Sequence, residues 1–170
     1  KFSAFDCGSL QTADNSISSI DISHAPSLAV LTAYSNELTE LDVTNNPNLA
    51  QVSCAKNKIA KVNFSQSAKM QVVELSENNL TSLDLSACEE LKAVFAMNNE
   101  ISSLTLPETS QMEMLIVSNN NLTNIDLRAN RNLSQFVCEG NRIESLNLAD
   151  LRKLYLLSCG SNKLKTLDLR

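Results

Sequence analysis

The 170-residue chain holds no tryptophan, a single histidine, three glycines and three prolines, and its aromatic residues amount to only 4%. A core drawn from this composition has to be aliphatic, and turns cannot rest on glycine and proline alone. Basic residues are also in deficit. With 14 Lys+Arg against 19 Asp+Glu, the formal charge is −5, which removes the positive footprint by which nucleic acids and anionic membranes are held. No apolar run approaches the about 18 residues of a membrane span, so the chain reads as soluble with no direct membrane insertion, and residues 1–5 lack the apolar stretch of a signal peptide. The five cysteines, Cys7, Cys54, Cys88, Cys138 and Cys159, are odd in number and form no CxxC pair. Beside the lone His24 they make no zinc cluster, and neither a metal nor a cofactor is expected.

What the sequence does have is a period. Asn15, Asn36, Asn57, Asn78, Asn99, Asn120, Asn141 and Asn162 recur at one fixed interval, and two places after each stands Ile or Leu, from Ile17 to Leu164. Units counted from eight residues before each Asn start at 7, 28, 49, 70, 91, 112, 133 and 154, the last one truncated. Their first position runs Cys7, Leu28, Leu49, Met70, Leu91, Met112, Leu133, Leu154, and their fourth runs from Leu10 through Phe136 to Leu157. The sixth is small or soft: Thr12, Ala33, Cys54, Leu75, Ala96, Val117, Cys138, Cys159. A second pair of apolar columns, such as Leu83 and Leu85, follows the Asn. Every residue falls in one register with residues 1–6 as the tail of an earlier unit, so 1–170 is expected to be one domain, cut from a longer solenoid. Its end coils should fray or pair with another molecule.

Each unit carries two short stretches of period-two alternation, the pattern of strands buried on one face. One unit cannot cover its own inner face, but coils stacked at about 4.8 Å turn each position into a buried column. The Asn belongs at the bend after the first strand, where its amide can both donate and accept, so that stacked copies satisfy the bend and one another. The second half is too short for a helix and predicts extended chain, with strands at Leu83-Asp84-Leu85 and Ile125-Asp126-Leu127 and a turn or 3₁₀ turn at Ala87-Cys88-Glu89-Glu90.

The unit LxxLx[C/A/V/L]xxNx[L/I] followed by xxLDLSxxxx resembles the leucine-rich repeat family over residues 7–170, with the signature present eight times. The uniform length, Cys54, Cys138 and Cys159 at a usual Leu position, and Leu83-Asp84-Leu85-Ser86 make it similar to a bacterial, cysteine-containing, internalin-like subgroup. The resemblance implies a leucine-rich repeat solenoid, α/β by convention: a right-handed superhelix with a parallel concave sheet and short strand, extended or 3₁₀ segments on the convex side. It also implies a secreted or surface-exposed adhesion module of a bacterium that binds protein on its concave face.

Several residues invite chemistry and have plainer accounts. Cys138 and Cys159 stack in one inward column, where a thiol serves as a small hydrophobe. Cys88 falls in the convex turn and is the cysteine expected to be exposed. His24 reads as a solvated loop residue. Asp21, Asp42, Asp84, Asp126 and Asp168 recur outward like a calcium row, but Asn63, Thr105 and Asn147 interrupt it, and solvation of an exposed strand is the simpler reading. The sequons at Asn63, Asn79, Asn121 and Asn132 follow from the abundance of Asn, Ser and Thr.

The first strand's outward positions are free of the core, so their content is informative. At the third, fifth and seventh positions of every unit, only Glu74 and Glu139 are charged. Phe95, Ile116 and Val137 are consecutive rungs of one outward column, with Met97, Met114, Val72 and Leu156 around them. Strand propensity favours Ile and Val, but not two Met and a Phe in the same place. The expectation is a protein-binding patch of Phe95, Met97, Met114, Ile116 and Val137, with Val72 and Leu156 at its margins and Glu74 and Glu139 flanking it; a self-association surface would look the same. A second histidine, a glycine-rich phosphate loop, GxSxG and HExxH are all missing, so an enzyme is not expected. A structural spacer needs no apolar face, and the dispersed Tyr34, Phe95 and Tyr155 make a poor platform for a glycan.

Overall fold

The structure, a computed structural model, describes the backbone of residues 2–3 and, with their side chains, residues 6–167 and 169. Strand β1 (Phe2–Ser3) comes first, and sheet and return strands then alternate: β2 (Ser9–Gln11), β3 (Ile20–Asp21), β4 (Val30–Thr32), β5 (Glu40–Asp42), β6 (Gln51–Ser53), β7 (Lys61–Asn63), β8 (Val72–Glu74), β9 (Ser82–Asp84), β10 (Ala93–Phe95), β11 (Ser103–Thr105) and β12 (Met114–Ile116). Strands β13 (Gln135–Val137) and β14 (Leu156–Ser158) follow without a return strand between them. The described residues contain no helix. Strands β2, β4, β6, β8, β10, β12, β13 and β14 form one parallel eight-stranded sheet in chain order, each residue paired with the same position of the next coil. Pairs β1–β3, β5–β7 and β9–β11 form the parallel return sheets.

The columns fill the space between. Leu31, Val52, Val73, Val94, Leu115 and Phe136, the middle residues of their strands, are fully buried, and so are Leu28 to Leu133 at the first position and Leu38 to Ile143 two places after the Asn. At the last coil Leu154, Leu157, Cys159 and Leu164 are only partly covered.

Six ladder asparagines, Asn36, Asn57, Asn78, Asn99, Asn120 and Asn141, are buried, whereas Asn15 is exposed and Asn162 half-buried. Their bonding differs from a ladder of amides satisfying one another. Each Nδ2 donates to backbone carbonyls of its own coil and the preceding one, and each Oδ1 from Asn36 onward accepts an N–H of the preceding coil; Asn57, for example, donates to Ala33 O at 2.9 Å and accepts from Leu38 N–H at 3.0 Å. Asn15 reaches only Thr12 O and Ala13 O, both within its own coil. The residue before each Asn completes the bend in left-handed backbone. Asp14, Ser35, Lys56, Glu77, Asn98, Asn119 and Ser161 have φ of 53–56°, and Gly140 has 65°.

The convex side departs from the expectations in several places. Cys88 is fully buried. Its N–H donates to Leu85 O at 2.9 Å and its carbonyl accepts from Leu91 N–H at 3.1 Å, so it closes one turn and opens the next, and a residue shared by two successive turns points into the coil. Ala25, Asn46, Ser67 and Asn130 fill the same buried column. The aspartate row builds local turns as well as facing solvent: Asp42, Asp84 and Asp126 accept the N–H two residues on, as do Asn63 and Asn147. Thr105 breaks the row where the residue two on is Pro107, which has no N–H to give. Asp168 lies outside the described residues. Residues 125–127 are not a strand, and the strand at 82–84 begins one residue before the expected one. Finally, Phe2 pairs with Ile20 and Ser3 with Asp21, a register shorter than the repeat, since the columns that set the register begin only at Cys7.

Candidate protein-binding face

Alternation about the buried centres of β10, β12 and β13 turns their flanking residues out of the core. Register then brings the expected patch together. Phe95 lies opposite Glu74 on one side and Ile116 on the other, and Ile116 opposite Val137. Val72, Ala93, Met114, Gln135 and Leu156 form the parallel column. Phe95, Met97, Met114, Ile116, Val137 and Val72 are each half-buried, because neighbouring rungs cover one another, and Leu156 is 41% exposed.

The acidic flanks are tethered. Glu74 Oε1 accepts the Ser76 N–H at 2.8 Å, and Glu139 Oε1 accepts the Ser158 hydroxyl. Glu139 belongs to the seventh-position column Ser76, Met97, Ser118, Glu139, in which the sequence singles out Met97 and Glu139 but not the two serines. The Ser76 hydroxyl accepts the Met97 N–H at 3.2 Å. Ser118, only 7% exposed, has a buried hydroxyl with no partner.

The remaining candidates assemble no chemistry. His24 is exposed, with Nδ1 3.0 Å from Ser23 Oγ. The Cys54, Cys88 and Cys138 thiols are pushed up to about 12, chiefly by burial; the Asp84 charge adds at Cys88, and Cys159 and Glu139 add at Cys138. Such thiols stay protonated and are poor nucleophiles. On the convex side, a hollow of about 520 Å³ lies between Leu106–Pro107 and Asp126–Arg128. There Arg128 donates to Asp126 at 2.6 Å, and that hydrogen bond holds the Asp126 carboxyl down to about 2.

These features define a leucine-rich repeat fold: coils of one fixed length, a parallel sheet lining one face, an Asn at each bend and short extended returns on the other. Solved structures of that class share it. The functional domain of InlJ from Listeria monocytogenes, described as including a cysteine ladder, aligns with 95% of this chain and 46% of its own at 24% identity and a TM-score of 0.64. A leucine-rich repeat protein of Leptospira interrogans aligns with 94% of this chain and 44% of its own at 19% identity and TM-score 0.82. Internalin C2 of Listeria monocytogenes aligns with 94% of this chain and 74% of its own at 17% identity and TM-score 0.81. The chain thus spans less than half the length of the first two. No protein-family model matches the sequence, and no curated protein does.

Proposed function

We propose that the chain is a non-enzymatic recognition module that binds protein through its concave strand face, with Phe95, Met97, Met114, Ile116 and Val137 as the centre of the contact. The observation that carries this reading is the run of apolar rungs at positions the core leaves free. A solvated strand face gains nothing from Phe and Met there, while an interface does, since a large aromatic near the middle of a desolvated patch tends to dominate binding. The fold is shared with internalins, which supports an adhesion role at a bacterial surface or in secreted form. The net charge of −5 opposes a nucleic acid partner.

Phe95→Ser combined with Ile116→Thr tests it. Both side chains stand outside the core and are half-buried only by neighbouring rungs, so the cost in stability should be on the order of 1 kcal/mol each. Binders selected on the wild type from a displayed peptide library should lose about tenfold or more in affinity for the double variant. If sedimentation shows a wild-type dimer that the variant abolishes, the patch serves self-association. Undiminished binding by every selected peptide, with no change in oligomeric state, refutes the reading.

A further inference from the structure

Among the described residues, the carboxylates around the apolar centre have no cationic partners. Glu74 and Glu139 flank the Phe95–Ile116–Val137 column, Glu77 is exposed at the bend after β8, and Glu113 is exposed at the entry to β12. Lys92, at the position of Glu113 one coil earlier, donates to Gln71 Oε1 at 3.1 Å. The ion pairs among the described residues are Lys58–Glu37, Arg128–Asp126 and Arg131–Asp150, and none of the four carboxylates enters one. An acidic edge by itself is only solvated surface. The second observation is the Ser118 hydroxyl, which has been taken out of water without a bond in return and is therefore a group that a ligand can satisfy.

Resting on the reading of the concave face as protein-binding, we infer that its partner is a cationic protein segment. An apolar side chain sits on Phe95, Ile116 and Val137, lysine or arginine flanks face Glu74, Glu77, Glu113 and Glu139, and one polar group of the segment hydrogen-bonds the Ser118 hydroxyl. Met97, a column neighbour of Ser118, is long and unbranched, so it can swing aside to admit that group. A polyanion is repelled by this edge. A second copy of the chain brings the same acidic face and is disfavoured for the same reason.

The test uses the same displayed library, selected on the wild type and counter-selected on the Phe95→Ser/Ile116→Thr variant. The best peptide is synthesised and titrated against wild type, Glu74→Gln/Glu139→Gln and Ser118→Ala at about 50 and about 500 mM salt. Glutamine keeps the acceptor for Ser76 N–H and for the Ser158 hydroxyl, so the charge alone is removed. The expected peptides carry an apolar residue between lysines or arginines. The charge variant should bind several-fold more weakly at low salt, with most of that difference gone at high salt, and Ser118→Ala should bind roughly fivefold more weakly at both. Selected peptides without basic residues, or affinity indifferent to the charge variant, overturn the cationic partner while leaving the concave reading standing. Unchanged affinity for Ser118→Ala overturns the role of the hydroxyl. If no peptide distinguishes the wild type from the Phe95→Ser/Ile116→Thr variant, the concave reading falls, and this inference with it.

Discussion

Replacing a central ladder asparagine, Asn99→Ala, isolates what the ladder contributes. Asn99 Nδ2 donates to Leu75 O at 3.0 Å, Ala96 O at 3.4 Å and Met97 O at 3.2 Å, and its Oδ1 accepts the Leu80 N–H at 3.0 Å. The three carbonyls all keep a donor when the amide is gone: Asn78 still reaches Leu75 O, Asn120 still reaches Ala96 O, and the Glu77 N–H still reaches Met97 O. The Leu80 N–H is left with nothing, in a residue with no exposed surface. Most of the cost is therefore one orphaned buried donor, about 1–3 kcal/mol, and a central value near 2 kcal/mol lowers the Tm of a chain this size by roughly 4–8 °C. Thermal unfolding followed by circular dichroism measures the total, and amide exchange at Leu80 measures the local part. Asn15→Ala is the control, since Asn15 is exposed and accepts no N–H from a preceding coil. Equal losses for the two variants, or an unchanged Leu80 exchange rate in Asn99→Ala, would refute the reasoning.

Asn46→Ala should be milder although Asn46 is as deeply buried: Ile22 O and Ala25 O keep bonds from the Ala25 and Leu28 N–H groups, Asn46 Oδ1 is itself unpaired, and the column already accepts Ala25. The expected loss is about 1 kcal/mol or less, and a denaturant midpoint as low as that of Asn99→Ala would count against it. With brief alkylation at neutral pH, the half-buried Cys7 and Cys159 should be modified while Cys54, Cys88 and Cys138 are spared, and mass mapping that finds Cys88 labelled first would restore the exposed turn. Those three thiols ionise near 9.0 when unfolded and about 12 when folded. The unfolded chain sheds protons first, so stability is intact below pH 9 and falls as pH rises toward 12, by at most about 1.4 kcal/mol per pH unit for each thiol. Cys54→Ala should make that fall shallower, and a midpoint that stays flat from pH 9 to 11 would contradict the burial.

The inward columns were readable because each is chemically monotonous. Leu or Ile two places after every Asn allows one register, and a slip of a single residue would turn the strands inside out. The turn after Leu85 was not readable in the same way. Its buried column mixes Ala25, Asn46, Ser67, Cys88, Asn130 and Leu151, side chains that share neither size nor polarity, so no column of one chemistry marks it. The aspartate row was visible, but its purpose depends on an N–H two residues later, and the pairing of Thr105 with Pro107 was the clue. The left-handed bend was also written in plain letters: Asp14, Ser35, Lys56, Glu77, Asn98, Asn119, Gly140 and Ser161 include no β-branched or aromatic residue, as a positive φ demands.

The same separation explains why the concave patch stood out in the sequence and Ser118 did not. A column facing the core is constrained by the fold in every coil, so its content reports only that the coil exists. A column facing outward is constrained by whatever touches it, so a run such as Phe95, Ile116 and Val137 beside the polar Gln11, Thr32 and Ser53 of the same column is a departure that the repeat cannot produce. Ser118 sits in an outward column where a small polar residue is unremarkable, and only the folded structure shows its hydroxyl closed off without a bond. The apolar rungs supply area, which many partners can use. In the proposed contact, the Ser118 hydroxyl and the carboxylates that enter no ion pair supply direction and charge, so specificity should respond to Ser118, Glu74 and Glu139 more than to the choice of aliphatic residue at Val137.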